Sequence, residues 1–267
     1  MRSTFPHLIS LIATAVSLMA ATSAQAASTL SRPADDNPAL GQIADPLEGW
    51  NRGVYGFNNG LDRAVIRPAA MGYRRALPRE ARDGVHNALT NLGSPVVFFN
   101  DVLQVQPTAA SQTALRFAVN STVGLLGVFD VASTLGVYRH RADFGQTLGH
   151  YGVGTGVYVY LPVFGPSSVR DTVGLIVNTA MDPVNYARFK GDVGVKVGII
   201  TANVLDTRVG LDKDMKDLDR SATDPYVATR SIWVQNRAAF VLGDKPVDVD
   251  ALPDFDNTAS TAAGKPK

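Results

Sequence analysis

The sequence predicts a mainly α-helical domain over about residues 45–242. Two observations predict it. Large apolar residues recur at spacings of three and four, the repeat of a single helix face. Asp-Pro or Ser-Pro pairs stand where several such stretches begin, and Pro or Gly stands near their ends. The one stretch that reads as extended chain is a glycine-rich loop or short hairpin around Val157-Tyr158-Val159-Tyr160.

Ahead of the domain, residues 1–26 read as a cleaved export signal. Arg2 supplies the positive end, Leu8–Ala21 the apolar run and Ala24-Gln25-Ala26 the small-x-small cleavage site. The run is shorter than the roughly 20 residues a membrane-spanning helix needs. A bacterial cell would send such a product to the periplasm or beyond. Residues 27–44, small and polar with Pro33 and Pro38, read as a flexible leader.

Asp45 is expected to cap the first helix, with Pro46 at its first position and Glu48 completing a capping box. Leu47, Trp50, Val54, Phe57, Leu61 and Val65 then form one apolar stripe, and Pro68 is expected to end the helix. Pro78–Leu92 gives a second helix, Ser94-Pro95 starts a third that reaches Leu103, and Thr108 caps a fourth that reaches about Ser121. Residues 124–131 form a short apolar turn. No Asp, Glu, Lys or Arg occurs over residues 145–169, but Gly152, Gly154, Gly156, Pro162, Gly165 and Pro166 rule out a spanning helix there. Pro166 and Ser167 start another helix, Asp182-Pro183 restarts the chain, Asp192–Met215 is long and apolar first, and Asp224-Pro225 opens the last helix. Residues 243–267, rich in Pro, Asp and Ala, read as a disordered tail. Several helices are more apolar than a water-facing bundle requires, yet none is built to span a bilayer. That suits helices lying in a membrane plane, or a core wrapped around an apolar cavity.

Composition excludes several functions. Lys+Arg number 25 and Asp+Glu 24, without the basic excess of a nucleic-acid binder. There is no cysteine, hence no disulfide, cysteine-ligated metal, thiol catalysis or lipid thioether. Gly152-Val153-Gly154-Thr155-Gly156 has Val157 where a dinucleotide loop needs its third glycine. No His-Glu-x-x-His or Gly-x-Ser-x-Gly motif occurs, and no cofactor is expected. His140, Asp143, His150 and Asp171 are the candidates for hydrolytic or acyl-transfer chemistry. His140, between Arg139 and Arg141, reads instead as a surface histidine, and no nucleophile or third metal ligand accompanies it. Residues 63–82 hold Arg63, Arg67, Arg74, Arg75, Arg79 and Arg82 against Glu80 alone. Such a row either faces phosphate, which arginine binds bidentately, or is a solvated face with local ion pairs.

Asp45-Pro46-Leu47-Glu48-Gly49-Trp50-Asn51-Arg52 resembles the MlaA (VacJ) family of outer-membrane phospholipid-transport proteins. So do Arg67-Pro68, Asn91-Leu92, Asp130-Val131-Ala132, the unbroken run from Phe144 to Gly154, Leu161-Pro162, Gly165-Pro166, Arg170-Asp171, Thr207-Arg208 and Asp224-Pro225-Tyr226. The resemblance implies a ring-like domain of amphipathic helices lying in the membrane plane around a central channel. It implies removal of misplaced phospholipid from the outer leaflet and delivery to a soluble periplasmic carrier, association with a trimeric porin, and no bond made or broken in the lipid. The family's lipobox cysteine is missing here, so the implied location is the periplasmic leaflet of the outer membrane, reached by a cleavable signal and held without a lipid thioether.

On this reading Leu47, Trp50, Val54, Phe57 and Leu61 are a membrane-belt helix. Arg63, Arg67, Arg74 and Arg75 contact headgroups. Gly152, Val153, Gly154 and Gly156 form a gate, glycine allowing backbone angles closed to other residues. The alternative is a periplasmic lipid hydrolase or acyltransferase built on the two histidines and two aspartates named above.

Overall fold

The structure, a computed structural model, describes residues 45–243. The expected signal peptide, the leader and the tail beyond Gly243 lie outside the described residues. The elements in order are α1 (Glu48–Leu61), a π-helical turn (Asp62–Ile66), α2 (Arg67–Ala76), α3 (Arg79–Leu103), α4 (Pro107–Thr122), α5 (Val131–Thr134) and α6 (Phe144–His150). The strands β1 (Tyr158–Leu161) and β2 (Gly165–Ser168) follow, then α7 (Val169–Met181), a 3-10 turn (Pro183–Asn185), α8 (Asp192–Ser221) and α9 (Pro225–Leu242). The strands form an antiparallel hairpin with Tyr158 opposite Ser168 and Leu161 opposite Gly165. The mainly helical class and the hairpin agree with the sequence. No helix among the described residues is long and apolar enough to cross a membrane.

The elements form a closed circuit of neighbours. The hairpin rests on α1, the π turn leads into α2, α2 packs on α8, α8 on α9, and α9 returns to β2. Helix α3 packs on α4 and α8 and also reaches α6 and α7. The small apolar core lies at the hairpin, where Val54, Tyr158, Tyr160 and Tyr226 are buried with Tyr55 and Trp233 against them. Tyr55 meets Tyr160 and Tyr226 edge-on at 5.5 and 5.6 Å, a geometry favoured by the ring quadrupole. Burial pushes the Tyr160 hydroxyl up to about 12.

Several helix boundaries differ from expectation, each for a visible reason. Asp45 does not cap α1. Its carboxylate accepts from Asn51 Nδ2 at 2.7 Å, from Arg230 Nη1 at 2.7 Å and from the Tyr226 hydroxyl. The chain therefore turns once before the helix starts, and Leu47 takes the N-cap position. Pro68 does not stop the helical path: the π turn widens the ladder just before it, with Arg67 N–H donating to Asp62 C=O, and Pro68 lies in the first turn of α2. Residues 79–103 are one helix that runs through Pro95, so the second and third expected helices are continuous. Pro107, not Thr108, opens α4. Pro166 and Ser167 belong to β2, and Ser168 caps α7 by accepting from Asp171 N–H at 3.1 Å. Two short helices, α5 and α6, fall where the sequence reading places none; Asp130 and Asp143 cap them. Asp182 and Asp224 cap the elements that follow them, as expected.

Candidate functional site

Among the described residues, ten apolar side chains are buried against fourteen polar or charged ones, while more than thirty large apolar residues are exposed. A water-soluble domain concentrates its apolar residues inside, so this distribution is the first property of the site. The buried polar groups form connected layers. Asn51 and Asn58, two turns apart on α1, dock the hairpin. Asn51 donates to Tyr158 C=O at 3.1 Å and accepts from Tyr160 N–H at 2.8 Å; Asn58 donates to Leu161 C=O at 3.0 Å and accepts from Val163 N–H at 2.8 Å. Deeper in, Thr147 Oγ1 donates to Asn100 Oδ1 at 2.8 Å, Asn100 Nδ2 donates to Asn178 Oδ1 at 3.1 Å, and Gln104 Nε2 donates to Thr147 Oγ1 at 3.0 Å. These bonds tie α3, α6 and α7 together.

Arginine–aspartate clamps close the rest. Arg116 grips Asp130 through Nη2 at 2.9 and 3.0 Å. Burial pushes the Asp130 carboxyl up, and Ser133, Asn120 and Arg116 together draw it down to about 2. Arg208 holds Asp62 at the π turn at 2.6 and 3.0 Å and Asp212 at 3.1 Å. Arg237 on α9 binds Asp143 at 2.7 and 2.8 Å and Asp171 at 2.7 Å, joining the cap of α6 to the first turn of α7. Burial raises the Asp171 carboxyl, but Arg237 and Arg170 hold it below the usual range.

The glycine loop leaves this clamped corner. Val153 N–H donates to Leu148 C=O at 3.0 Å and Arg170 N–H to Thr155 C=O at 3.3 Å. Gly152 and Gly156 have φ of 83° and 72°, a region that L side chains avoid, whereas Gly154 lies outside it and a Cβ there would meet open space. Val153 is exposed.

The expected belt is divided. Trp50 and Phe57 are 55% and 58% exposed and Leu47 is exposed, Leu61 is half-buried, but Val54 is 8% exposed and packs in the tyrosine core. The inward face of α1 centres on Asn51 and Asn58, so the apolar stripe lies along its edge and Val54 turns inward. A second outward stripe runs along α8 through Val193, Val197, Ile200 and Val204.

The four expected headgroup arginines also separate. Arg63 reaches Asp219 at 3.7 Å and Arg67 reaches buried Asp212 at 3.4 Å, while Arg74 and Arg75 are exposed with no carboxylate in ion-pair range among the described residues. The candidate catalytic residues do not assemble. His140 is half-exposed and tied inward: its Nε2 lies 2.8 Å from Oδ1 of fully buried Asp101, which also accepts from Thr113 Oγ1 at 2.7 Å. His150 packs edge-on against Tyr151. Among the described residues no hydrogen bond joins either histidine to Asp143 or Asp171, and no group of three metal-ligating side chains occurs. The asparagine docks and the pairing of His140 with buried Asp101 were not anticipated. The only sequence signal for the docks was the seven-residue spacing of Asn51 and Asn58.

A family model described as MlaA lipoprotein matches residues 43–240. The intermembrane phospholipid transport system lipoprotein MlaA of Escherichia coli (strain K12) is 37% identical over 196 residues, 72% of this chain and 76% of that protein. The protein of the same name from Haemophilus influenzae is 32% identical over 225 residues, 82% of this chain and 88% of its own. A solved structure, from work on the structural basis for maintenance of bacterial outer membrane lipid asymmetry, superposes with a TM-score of 0.65 and 34% identity over 74% of this chain and 99% of that one. By sequence and by fold alike, the chain belongs to the MlaA family.

Proposed function

We propose that this protein is the outer-membrane component of intermembrane phospholipid transport. It removes misplaced phospholipid from the outer leaflet and passes it to a soluble periplasmic carrier, beside a trimeric porin, and so maintains lipid asymmetry. The observation that carries the reading is the inverted polarity of the described residues: most buried polar groups there are hydrogen-bonded, many large apolar side chains lie outside, and no helix among those residues is long and apolar enough to span a membrane. In a bilayer leaflet that arrangement is favourable on both sides, since lipid tails solvate the exterior and the interior offers a polar track to a headgroup. The names of the relatives support the same role.

Retention differs from those relatives. They are named lipoproteins, and this chain has no cysteine. One acyl chain gives only marginal membrane binding, so the apolar exterior of α1 and α8 can take over that work. Export follows the Ala24-Gln25-Ala26 site, giving a mature chain from Ala27 in the periplasmic leaflet. Arg74 and Arg75 remain available for headgroups, and the Gly152–Gly156 loop with exposed Val153 is the gate. The protein acts without chemistry on the lipid.

Deletion tests the proposal. Phospholipid should accumulate in the outer leaflet and resistance to detergent and chelator should fall. Purified protein should carry intact phospholipid without releasing fatty acid. Fatty-acid release abolished by His140→Ala or His150→Ala would establish the hydrolase alternative instead.

A further inference from the structure

A cleft of about 590 Å³ opens where α2, α3 and α8 meet, lined by Arg74, Arg82, Lys213, Lys216 and Arg220 together with Asp212 and Asp217. The two acids are already engaged. Asp212 is buried and accepts from Lys216 at 2.6 Å and Arg208 at 3.1 Å; Asp217 accepts from Lys213 at 2.9 Å. Among the described residues no carboxylate lies within 4.0 Å of the guanidinium of Arg74, Arg82 or Arg220. Arg82 adds a separate observation. Its Nε is buried with no hydrogen-bond acceptor, and the nearby Tyr73 hydroxyl is likewise buried and unpartnered. Buried donors without acceptors are rare in folded proteins and costly.

Three guanidinium groups from three helices line this one cleft, one of them with an unmet buried donor, and arginine binds tetrahedral oxyanions through paired N–H groups. We infer that this cleft is a phosphoryl-anion site, in which Arg74, Arg82 and Arg220 bind the oxygens of a phosphodiester headgroup or of a free phosphate. The headgroup case deepens the transport proposal and rests on it; the anion site stands on the cleft alone.

Calorimetric titration of the full mature chain in neutral detergent, with inorganic phosphate and separately with glycerophosphoglycerol, tests the inference. Saturable binding of at least one probe is expected, weakening as salt rises. The double variant R74Q/R220Q should weaken it at least tenfold. Both side chains are exposed, so folding is preserved even if R82Q fails to fold. The control R188Q/K190Q removes the same charge from an exposed loop and should leave affinity within twofold. Preference for the diester identifies a headgroup site, and equal or tighter binding of phosphate identifies a free-anion site. No saturable binding of either probe by the wild type, or an equal loss in the control, overturns the inference. Lipid accumulation after deletion without anion binding would remove this site and leave the transport role standing; anion binding with an intact outer leaflet would do the reverse.

Discussion

Arg237→Met isolates the clamp from which the glycine loop departs. The guanidinium spans Asp143 and Asp171, with three contacts of 2.7–2.8 Å, and its side chain is only 14% exposed. Methionine keeps the aliphatic stem and removes the charge, leaving two carboxylates with reduced compensation. Asp143 retains the Gln146 N–H at 2.8 Å, and Asp171 retains Arg170 at 3.1 Å. Removing one partner of a buried ion pair costs about 3–5 kcal/mol; the retained contacts place this case near the lower end, about 3 kcal/mol. For a domain of this size that is a fall in Tm of roughly 6–12 °C. The pH dependence supplies a second readout. The folded-state pKa of Asp171 is depressed, so its contribution is present above the usual carboxylate value of about 4 and lost as pH falls below it. The wild type should therefore lose its advantage over the variant as pH drops from about 5 toward 3. Thermal unfolding in detergent, followed by circular dichroism at both ends of that range, measures it. A variant within about 1 kcal/mol of wild type at pH 7, or a gap that does not narrow in acid, would refute the clamp.

Gly174→Ala should destabilise by about 2 kcal/mol or more, because a Cβ would lie 2.5 Å from Gly145 N and 2.8 Å from Gly145 Cα, backbone that cannot move aside; an unchanged Tm would show that α6 and α7 are not in close contact. Gly154→Ala fits the loop without strain and should hold or raise stability by up to about 1 kcal/mol while slowing lipid transfer, whereas Gly152→Ala, at φ 83°, should cost about 1 kcal/mol; transfer at full rate in Gly154→Ala would argue for a static turn. Asp130→Asn should remove a part of the acid sensitivity between about pH 4 and 2, worth about 1 kcal/mol after allowance for its partial exposure, seen as a flatter stability profile in that window. Trp50→Ala with Phe57→Ala should weaken vesicle binding by about 2 kcal/mol, a factor of about 30, in a flotation assay; undiminished flotation would move the membrane contact elsewhere.

How much of this was readable from sequence depends on whether a residue acts locally or across the fold. The dipeptide Asp-Pro shows the division. At Asp224 the carboxylate accepts from Tyr226 and Val227 N–H and caps α9, as propensity predicts. At Asp45 the same dipeptide loses its capping role because Asn51, Tyr226 and Arg230 compete for the carboxylate, and two of those lie more than 180 residues away. Pro68 was expected to end a helix and Pro95 to begin one, because a lone helix loses a bond at proline, but a π turn precedes Pro68 and one continuous helix runs through Pro95. The Phe144–Gly154 run was conspicuous as a pattern, and its physical reasons needed three dimensions. Gly145 abuts Gly174, Thr147 joins the asparagine layer, a Cβ on Gly149 would strike Val241, and Gly152 adopts a positive φ. The arginine row was read as one group, yet Arg67 faces a buried aspartate while Arg74 opens onto the cleft. Spacing along α1 and α2 says which residues share a side, and not which carboxylates wait on α8.

The clamps and the apolar exterior have one physical cause. In water, a domain with ten buried apolar residues would gain little from the hydrophobic effect, and desolvating Arg208, Arg116 and Asp101 would add to the deficit. In a leaflet the reference changes. The exposed stripes on α1 and α8 are solvated by acyl chains whether or not the helices pack, so association between helices must come from close contacts and polar bonds. The structure supplies both, with glycine against glycine at Gly145 and Gly174, two-bond arginine–aspartate pairs linking α9 to the cap of α6 and α8 to the π turn, and a single bond from Arg237 to Asp171 of α7. On the proposed reading, a chain held this way would be committed to the membrane without a lipid thioether. Its fold and its attachment draw on the same apolar surface, so removal from lipid or detergent should expose that surface and cost the protein its solubility before it breaks the clamps.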